Sequence, residues 1–137
     1  MQNGLAGTTL RINLASGEIR RLPTDEALFR TWHGGRGITS KILYDEVPPG
    51  VAWDDPANRL ILAAGPMSGT TVAGSGTFSL VTKAAMTNLA VATQANGFWS
   101  ALLKFAGYDA VIIQGQSPRW VYLHIGDGKA KLRDASP

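Results

Sequence analysis

Glycine placement constrains this chain more than any other feature. Sixteen of 137 residues are glycine, where an average chain of that length carries about ten. They fall between short runs that mostly alternate apolar and polar side chains, the period of a strand with one buried face. No collagen-like repeat accompanies them. The excess therefore points to many tight turns, or to backbone held close to a neighbour. With 45% hydrophobic and 17% charged residues, there is enough apolar material for a core and too little charge for disorder. The length suits a single domain over residues 1–137. There is no cysteine, which excludes disulfides, cysteine-ligated zinc, iron–sulfur ligation and a thiol nucleophile from these residues. The two histidines, His33 and His124, lie too far apart to suggest a histidine-rich catalytic zinc site.

A formal charge of +3 without any block of like charges leaves no footprint for nucleic acid or membrane. The residues Met1 to Gly7 lack the basic region and apolar core of a signal peptide. The longest apolar stretch, Leu60 to Ala64, is too short to span a bilayer. The expectation is a cytoplasmic chain.

Thr8 to Leu14 and Glu18 to Leu22 read as a hairpin turning at Ala15-Ser16-Gly17. Thr24 is the expected N-cap of a first helix whose stripe is Leu28, Phe29 and Trp32. Gly34 to Gly37 interrupts it, and a second helix carrying Ile38, Ile42 and Leu43 ends at Pro48-Pro49-Gly50. Strands follow at Arg59 to Ala64, from Phe78, and at Leu89 to Gln94. Small residues on one face of the last, Ala90 and Ala92, suggest close packing against a neighbouring backbone. Phe98 to Ala106 is a helix with Phe98, Leu102 and Phe105 as its apolar face and Gly107 beyond its end. Ala110 to Ile113 is a buried strand. Trp120 to Ile125 and Lys129 to Arg133 form a hairpin about Gly126-Asp127-Gly128. Strands dominate and do not alternate regularly with helices. The fold class is α+β, with a mainly antiparallel or mixed β-sheet and a few helices.

Three segments are candidate ligand contacts, each with a plainer reading beside it. Between Gly69 and Gly76, short hydroxyl residues and glycines let backbone N–H groups converge as for phosphate, or form a simple connection. It is neither a Walker A loop nor a dinucleotide fingerprint. Gly34-Gly35-Arg36-Gly37 permits close approach and offers Arg36 to an anion, or is a helix–helix hinge with a solvated arginine. Thr93 to Gly97 feeds a helix N-terminus, or is an ordinary cap by Asn96. His33 reads as a helix-end residue, His124 as a packed or edge residue, Asp109 as a turn residue, and the four tryptophans as core or interface. No Ser-His-Asp set and no acid–base carboxylate pair emerges. These residues describe a glycine-lined, anion-friendly surface without a catalytic set.

Three segments together resemble a known family: Leu10 to Ile19 (LRINLASGEI), Leu60 to Thr70 (LILAAGPMSGT) and Leu103 to Gly115 (LKFAGYDAVIIQG). Gly35-Arg36-Gly37 and Val81-Thr82-Lys83 also fit. In order and spacing they are similar to the N-terminal domain of the tungsten-containing aldehyde:ferredoxin oxidoreductases, from about residue 5 to residue 135. The resemblance implies a scaffold for a tungsten (or molybdenum) bis-pterin cofactor with magnesium. The family domain is longer than this chain and internally duplicated. The enzymes oxidise aldehydes to carboxylic acids and pass electrons to ferredoxin, and relatives include aromatic acyl-CoA reductases.

Carried over residue by residue, the resemblance implies pterin-facing positions at Gly74, Ser75, Gly76 and Thr77, and at Thr93, Gln94, Ala95, Asn96 and Gly97. Gln94 would meet magnesium through its backbone. Thr77 stands where the family has a phosphate-contacting arginine, Gln94 where it has asparagine, and Ala95-Asn96-Gly97 where it has a glycine pair. The ligands of the [4Fe–4S] cluster are implied to lie in the C-terminal part absent from this chain, so the chain is expected to be inactive alone, as a truncated or separately encoded piece. Its implied partners are those C-terminal domains, ferredoxin or another electron-transfer protein, and a second copy through an exposed apolar face. Two alternatives stand beside this reading: a degenerate family domain acting as a structural or protein-interaction module, and an unrelated binder of a small phosphate ligand.

Overall fold

Leu10 and Ile12 are fully buried while their neighbours along the strand are not, so the N-terminal alternation becomes β1 (Thr8–Asn13). The computed structural model describes residues 4–136, and the readings that fall on residues 1–3 and 137 lie outside the described residues. Asn13 Oδ1 accepts from the amides of Ala15 and Ser16, and Gly17 takes a positive φ of 73°. This turn returns the chain as β2 (Glu18–Pro23). Helix α1 (Glu26–Trp32) follows, but its cap differs from the expected Thr24. Asp25 caps it, its carboxylate accepting from the Leu28 amide at 2.9 Å. Thr24 instead turns its hydroxyl inward to Asp109. His33 ends the helix in the left-handed conformation, in line with a helix-end role.

Helix α2 (Gly35–Glu46), strand β3 (Arg59–Ala64), strand β4 (Phe78–Lys83) and strand β5 (Ala90–Ala95) come next. They are followed by α3 (Trp99–Phe105), β6 (Ala110–Gln114), β7 (Val121–Gly126) and β8 (Lys129–Asp134). Six strands form one sheet in the order β2-β1-β6-β3-β4-β5. Only β1 and β6 run parallel; the other four pairings are antiparallel. The fold is thus the α+β class expected, with a mixed, mainly antiparallel sheet. Strands β7 and β8 make a separate hairpin. Its turn residues Asp127 and Gly128 have φ of 51° and 67°, the left-handed pair that matches strand twist.

Each face of the large sheet has its own apolar cluster. On one face Ile61, Ala63, Val81, Ala110 and Ile112 pack under Phe29 of α1 and Ile38, Ile42 and Leu43 of α2. On the other, Leu10, Ile12, Ala64 and Val111 pack with Leu103 of α3, Tyr108 and the apolar side of the β7–β8 hairpin. The small-residue face of β5 reaches the first cluster through Ala92.

Asp109 is no turn residue. It is fully buried, and its carboxylate accepts from the amides of Ala6 and Gly7, each at 2.8 Å, and from the Thr24 hydroxyl. The buried ammonium of Lys104 donates to it at 2.5 Å and to the Gly4 carbonyl at 2.8 Å. A carboxylate taken from water must fill its lone pairs, and this one ties the N-terminal segment to α3 and β6.

Candidate functional site

The candidate segments meet at one end of the large sheet. There β3 ends, β4 begins and β5 ends, with Ala64 opposite Phe78 and Phe78 opposite Ala95. The long connection from Gly65 to Thr77 enters β4 at this end, and Asn96 to Phe98 leaves β5 for α3. The structure brings Gly74–Thr77 and Thr93–Gly97 side by side. A Cβ on Gly76 would stand 2.6 Å from the Gly97 carbonyl oxygen, and the Thr77 hydroxyl donates to Asn96 Oδ1 at 2.5 Å. Phe78 and Trp99 close the base of this contact with ring centroids 4.6 Å apart. Asn96 is therefore committed to Thr77 and is not the cap of the following helix. That place belongs to Phe98, whose side chain makes no cap bond.

The position of Gln94 follows from pairing arithmetic. The β4–β5 hairpin closes with the Ala84 amide donating to the Leu89 carbonyl at 2.8 Å. Hydrogen-bonded and non-hydrogen-bonded pairs alternate from that closure, which leaves Gln94 and Ser79 a non-hydrogen-bonded pair. The N–H and C=O of Gln94 thus point away from β4, out of the edge formed by the last strand of the sheet.

The Gly34–Gly37 segment reaches the same end. A Cβ on Gly34 would lie 3.1 Å from the Ala64 carbonyl oxygen, and one on Gly35 3.6 Å from Ser79 Oγ. Gly34 is the N-cap of α2 with φ of 70° and no side-chain cap. Gly37 lies inside the helix, where a Cβ would stand 2.0 Å from the Trp32 carbonyl oxygen. The segment is a tight helix–helix junction, and the contact explains glycine there. Arg36, in the first turn of α2, is exposed and joins none of the ion pairs among the described residues.

The donor set at this sheet end is backbone amides and carbonyls, hydroxyls and one exposed guanidinium. Such a set suits phosphates and ring edges of an organic cofactor. Among the described residues no group of three or more His, Cys, Asp or Glu side chains could hold a metal ion. No helix among them is long and apolar enough to cross a membrane.

The helix beside the site departs from expectation. Its apolar face, Phe98, Leu102 and Phe105, does not enter the core; these side chains are 83%, 61% and 65% exposed. The buried residues of α3 are Ser100, Leu103 and Lys104. Ser100 Oγ has no hydrogen-bond partner among the described residues. None of the four tryptophans belongs to the buried core either. Sequence reasoning missed the Asp109–Lys104 pair. The only trace is a Lys five residues before an Asp across a Gly107 turn, which names no partner among residues 4–24.

Comparison with known proteins is consistent with this geometry. Residues 9–137 match the family model for the N-terminal domain of aldehyde ferredoxin oxidoreductase. The tungsten-containing aldehyde ferredoxin oxidoreductase of Pyrococcus furiosus is 39% identical over 130 residues, covering 95% of this chain and 22% of that protein. An aliphatic sulfonate oxidoreductase, WOR-like subunit, from the same organism is 32% identical over 135 residues, covering 95% and 21%. Among solved structures, the active-site complex BamBC of benzoyl coenzyme A reductase, bound to 1,5-dienoyl-CoA, superposes with a TM-score of 0.94. It is 40% identical over 98% of this chain and 21% of that one. The chain thus spans about a fifth of the length of these relatives, and within that fifth it belongs to the aldehyde ferredoxin oxidoreductase N-terminal domain family.

Proposed function

We propose that residues 1–137 form a single cofactor-cradling scaffold domain of a tungsten (or molybdenum) bis-pterin, iron–sulfur oxidoreductase. In this reading the whole enzyme oxidises aldehydes to carboxylic acids and passes electrons to ferredoxin or another electron-transfer protein. The domain holds the cofactor and does no chemistry alone. The observation that carries the reading is the contact of Gly76 with the Gly97 carbonyl, which joins the two glycine-containing segments into one backbone edge at the end of β4 and β5. The pterin centre, when bound, supplies the two-electron redox chemistry. Gly74–Thr77 and Thr93–Gly97 would offer it backbone groups, the outward carbonyl of Gln94 would hold magnesium, and the exposed Arg36 would be available to an anionic group. The cluster cysteines come from outside these residues, which contain none.

The relatives' names support a scaffold role. Aldehyde, aliphatic sulfonate and benzoyl coenzyme A name three different chemistries, yet a stretch of each is 32–40% identical to this chain. Substrate choice then belongs to the other four-fifths of such proteins.

One observation favours the second reading, a structural or interaction module. Segments 74–77 and 93–97 contain no Lys or Arg, and the Thr77 hydroxyl, in the place of the family's arginine, is already spent on Asn96. Tungsten and molybdenum analysis of the native polypeptide separates the two. Metal with cluster absorbance supports the cradle, and absence of both from a folded protein supports the module.

A further inference from the structure

Asn96 is followed by Gly97, and both lie exposed between β5 and α3. The pair carries a chemistry of its own. An asparagine side-chain carbonyl can be attacked by the amide nitrogen of the next residue, and a glycine there puts no side chain in the way. Gly97 has a φ of 132°, a backbone state that glycine adopts freely and other residues do not. Its amide donates to no acceptor among the described residues. Asn96 Nδ2 is equally uncommitted among them. The side-chain oxygen is held, because the Thr77 hydroxyl donates to Oδ1 at 2.5 Å. A donor on that oxygen draws charge from Cγ and stabilises the oxyanion that forms when Cγ is attacked. The other asparagines of the described residues differ on both counts. Asn13, Asn58 and Asn88 precede Leu14, Arg59 and Leu89. Asn13 Oδ1 accepts from the Ala15 and Ser16 amides, Asn58 Oδ1 from the Arg59 amide, and Asn88 Oδ1 has no partner among the described residues.

We propose that Asn96–Gly97 is a spontaneous modification site, at which the asparagine deamidates with Thr77 as the activating donor. The Gly97 nitrogen bonds to Asn96 Cγ, the Cγ–Nδ2 bond breaks, and ammonia leaves with the proton given up by the Gly97 amide. Water then adds across one of the two imide C–N bonds, leaving aspartate or isoaspartate. No electron is transferred, and water is the one reactant consumed. The product matters because of where it stands. Segments 74–77 and 93–97 hold no charged side chain, so the new carboxylate puts the first charge on these segments, and a negative one. It opposes any phosphate seated there. The isoaspartate form also lengthens the backbone just before the Gly97 carbonyl that abuts Gly76. The inference rests on this geometry alone and is independent of whether the edge takes a cofactor.

Ageing of the folded 137-residue chain in mildly alkaline buffer tests the proposal. Peptide mass spectrometry reads the change from amide to acid, and isoaspartate methyltransferase labelling reads the rearranged product. Asn96 should convert about ten-fold faster than Asn13, Asn58 or Asn88. Thr77→Val, which keeps the side-chain shape and removes the donor, should slow conversion at Asn96 several-fold. Thr77→Ser, which keeps the hydroxyl, should retain the parent rate. In guanidinium the three chains should age alike, since the hydrogen bond is lost. Conversion at Asn96 no faster than at the other three asparagines overturns the proposal. So does a folded Thr77→Val chain that ages as fast as the parent or faster, which assigns the hydrogen bond a protective role.

Discussion

Gly76 abuts the carbonyl oxygen of Gly97: a methyl group added at residue 76 would stand 2.6 Å from it. The obstructing atom is backbone, so relief requires the two segments to part. Gly76→Ala should therefore cost about 1–3 kcal/mol, as overpacking does. Gly65→Ala, whose Cβ would meet only Ser68 Oγ at 3.8 Å, should stay within about 0.5 kcal/mol of the parent. Urea denaturation of the two variants checks the contrast. Equal stabilities would dissolve the contact that defines the candidate site.

The Lys104–Asp109 pair is wholly buried, and removing one partner of such a pair strands the other charge. Lys104→Met and Asp109→Asn should each destabilise by about 3–5 kcal/mol. The double variant should cost much less than the sum, since neither charge is then left behind. Additive losses in a double-mutant cycle would mean that the two groups do not act as a unit.

Ser100→Ala should run against the usual sign. The Ser100 hydroxyl is buried with no partner among the described residues, so removing it takes away an uncompensated buried polar group. Stability should rise by about 1 kcal/mol, read as an upward shift of the thermal midpoint. A fall would indicate that the hydroxyl is satisfied in solution.

Glu46 sets an acid limit. Burial alone would raise its pKa, but the Arg11 fork, one arm at 2.8 Å, and Arg59 at 3.4 Å together hold it below its ordinary value of 4.5. A carboxylate with a depressed folded pKa adds stability that is present above the unfolded value and lost as pH falls through the folded one. Glu46→Gln should therefore be less stable than the parent at neutral pH, with the difference shrinking below about pH 4.5. Denaturation midpoints across that range would show it, and a gap independent of pH would refute it.

Much of the architecture can be read from local pattern. The alternation of Leu10 and Ile12 with Thr9 and Arg11 marks a one-sided strand, and that strand is present. Gly126-Asp127-Gly128 between two alternating runs marks a hairpin, and its turn is of the expected kind. What local pattern cannot carry is long-range identity. The stripe Phe98, Leu102, Phe105 has helical spacing, but spacing does not say whether a helix's apolar face meets its own sheet or another body, and here it does not meet the sheet. Asp109 follows a turn in the sequence, while its hydrogen-bond partners Ala6 and Gly7 lie more than a hundred residues away. The candidate segments were visible as glycine-containing stretches. Their convergence at one sheet end depends on a strand order, β3-β4-β5, that brings Ala64, Phe78 and Ala95 into line.

The central claim, that this domain cradles a bis-pterin metal centre, is tested most directly by elemental analysis of the native polypeptide by plasma mass spectrometry. The account predicts tungsten or molybdenum in stoichiometric amount with the protein. A folded, native-length polypeptide containing neither metal would contradict it.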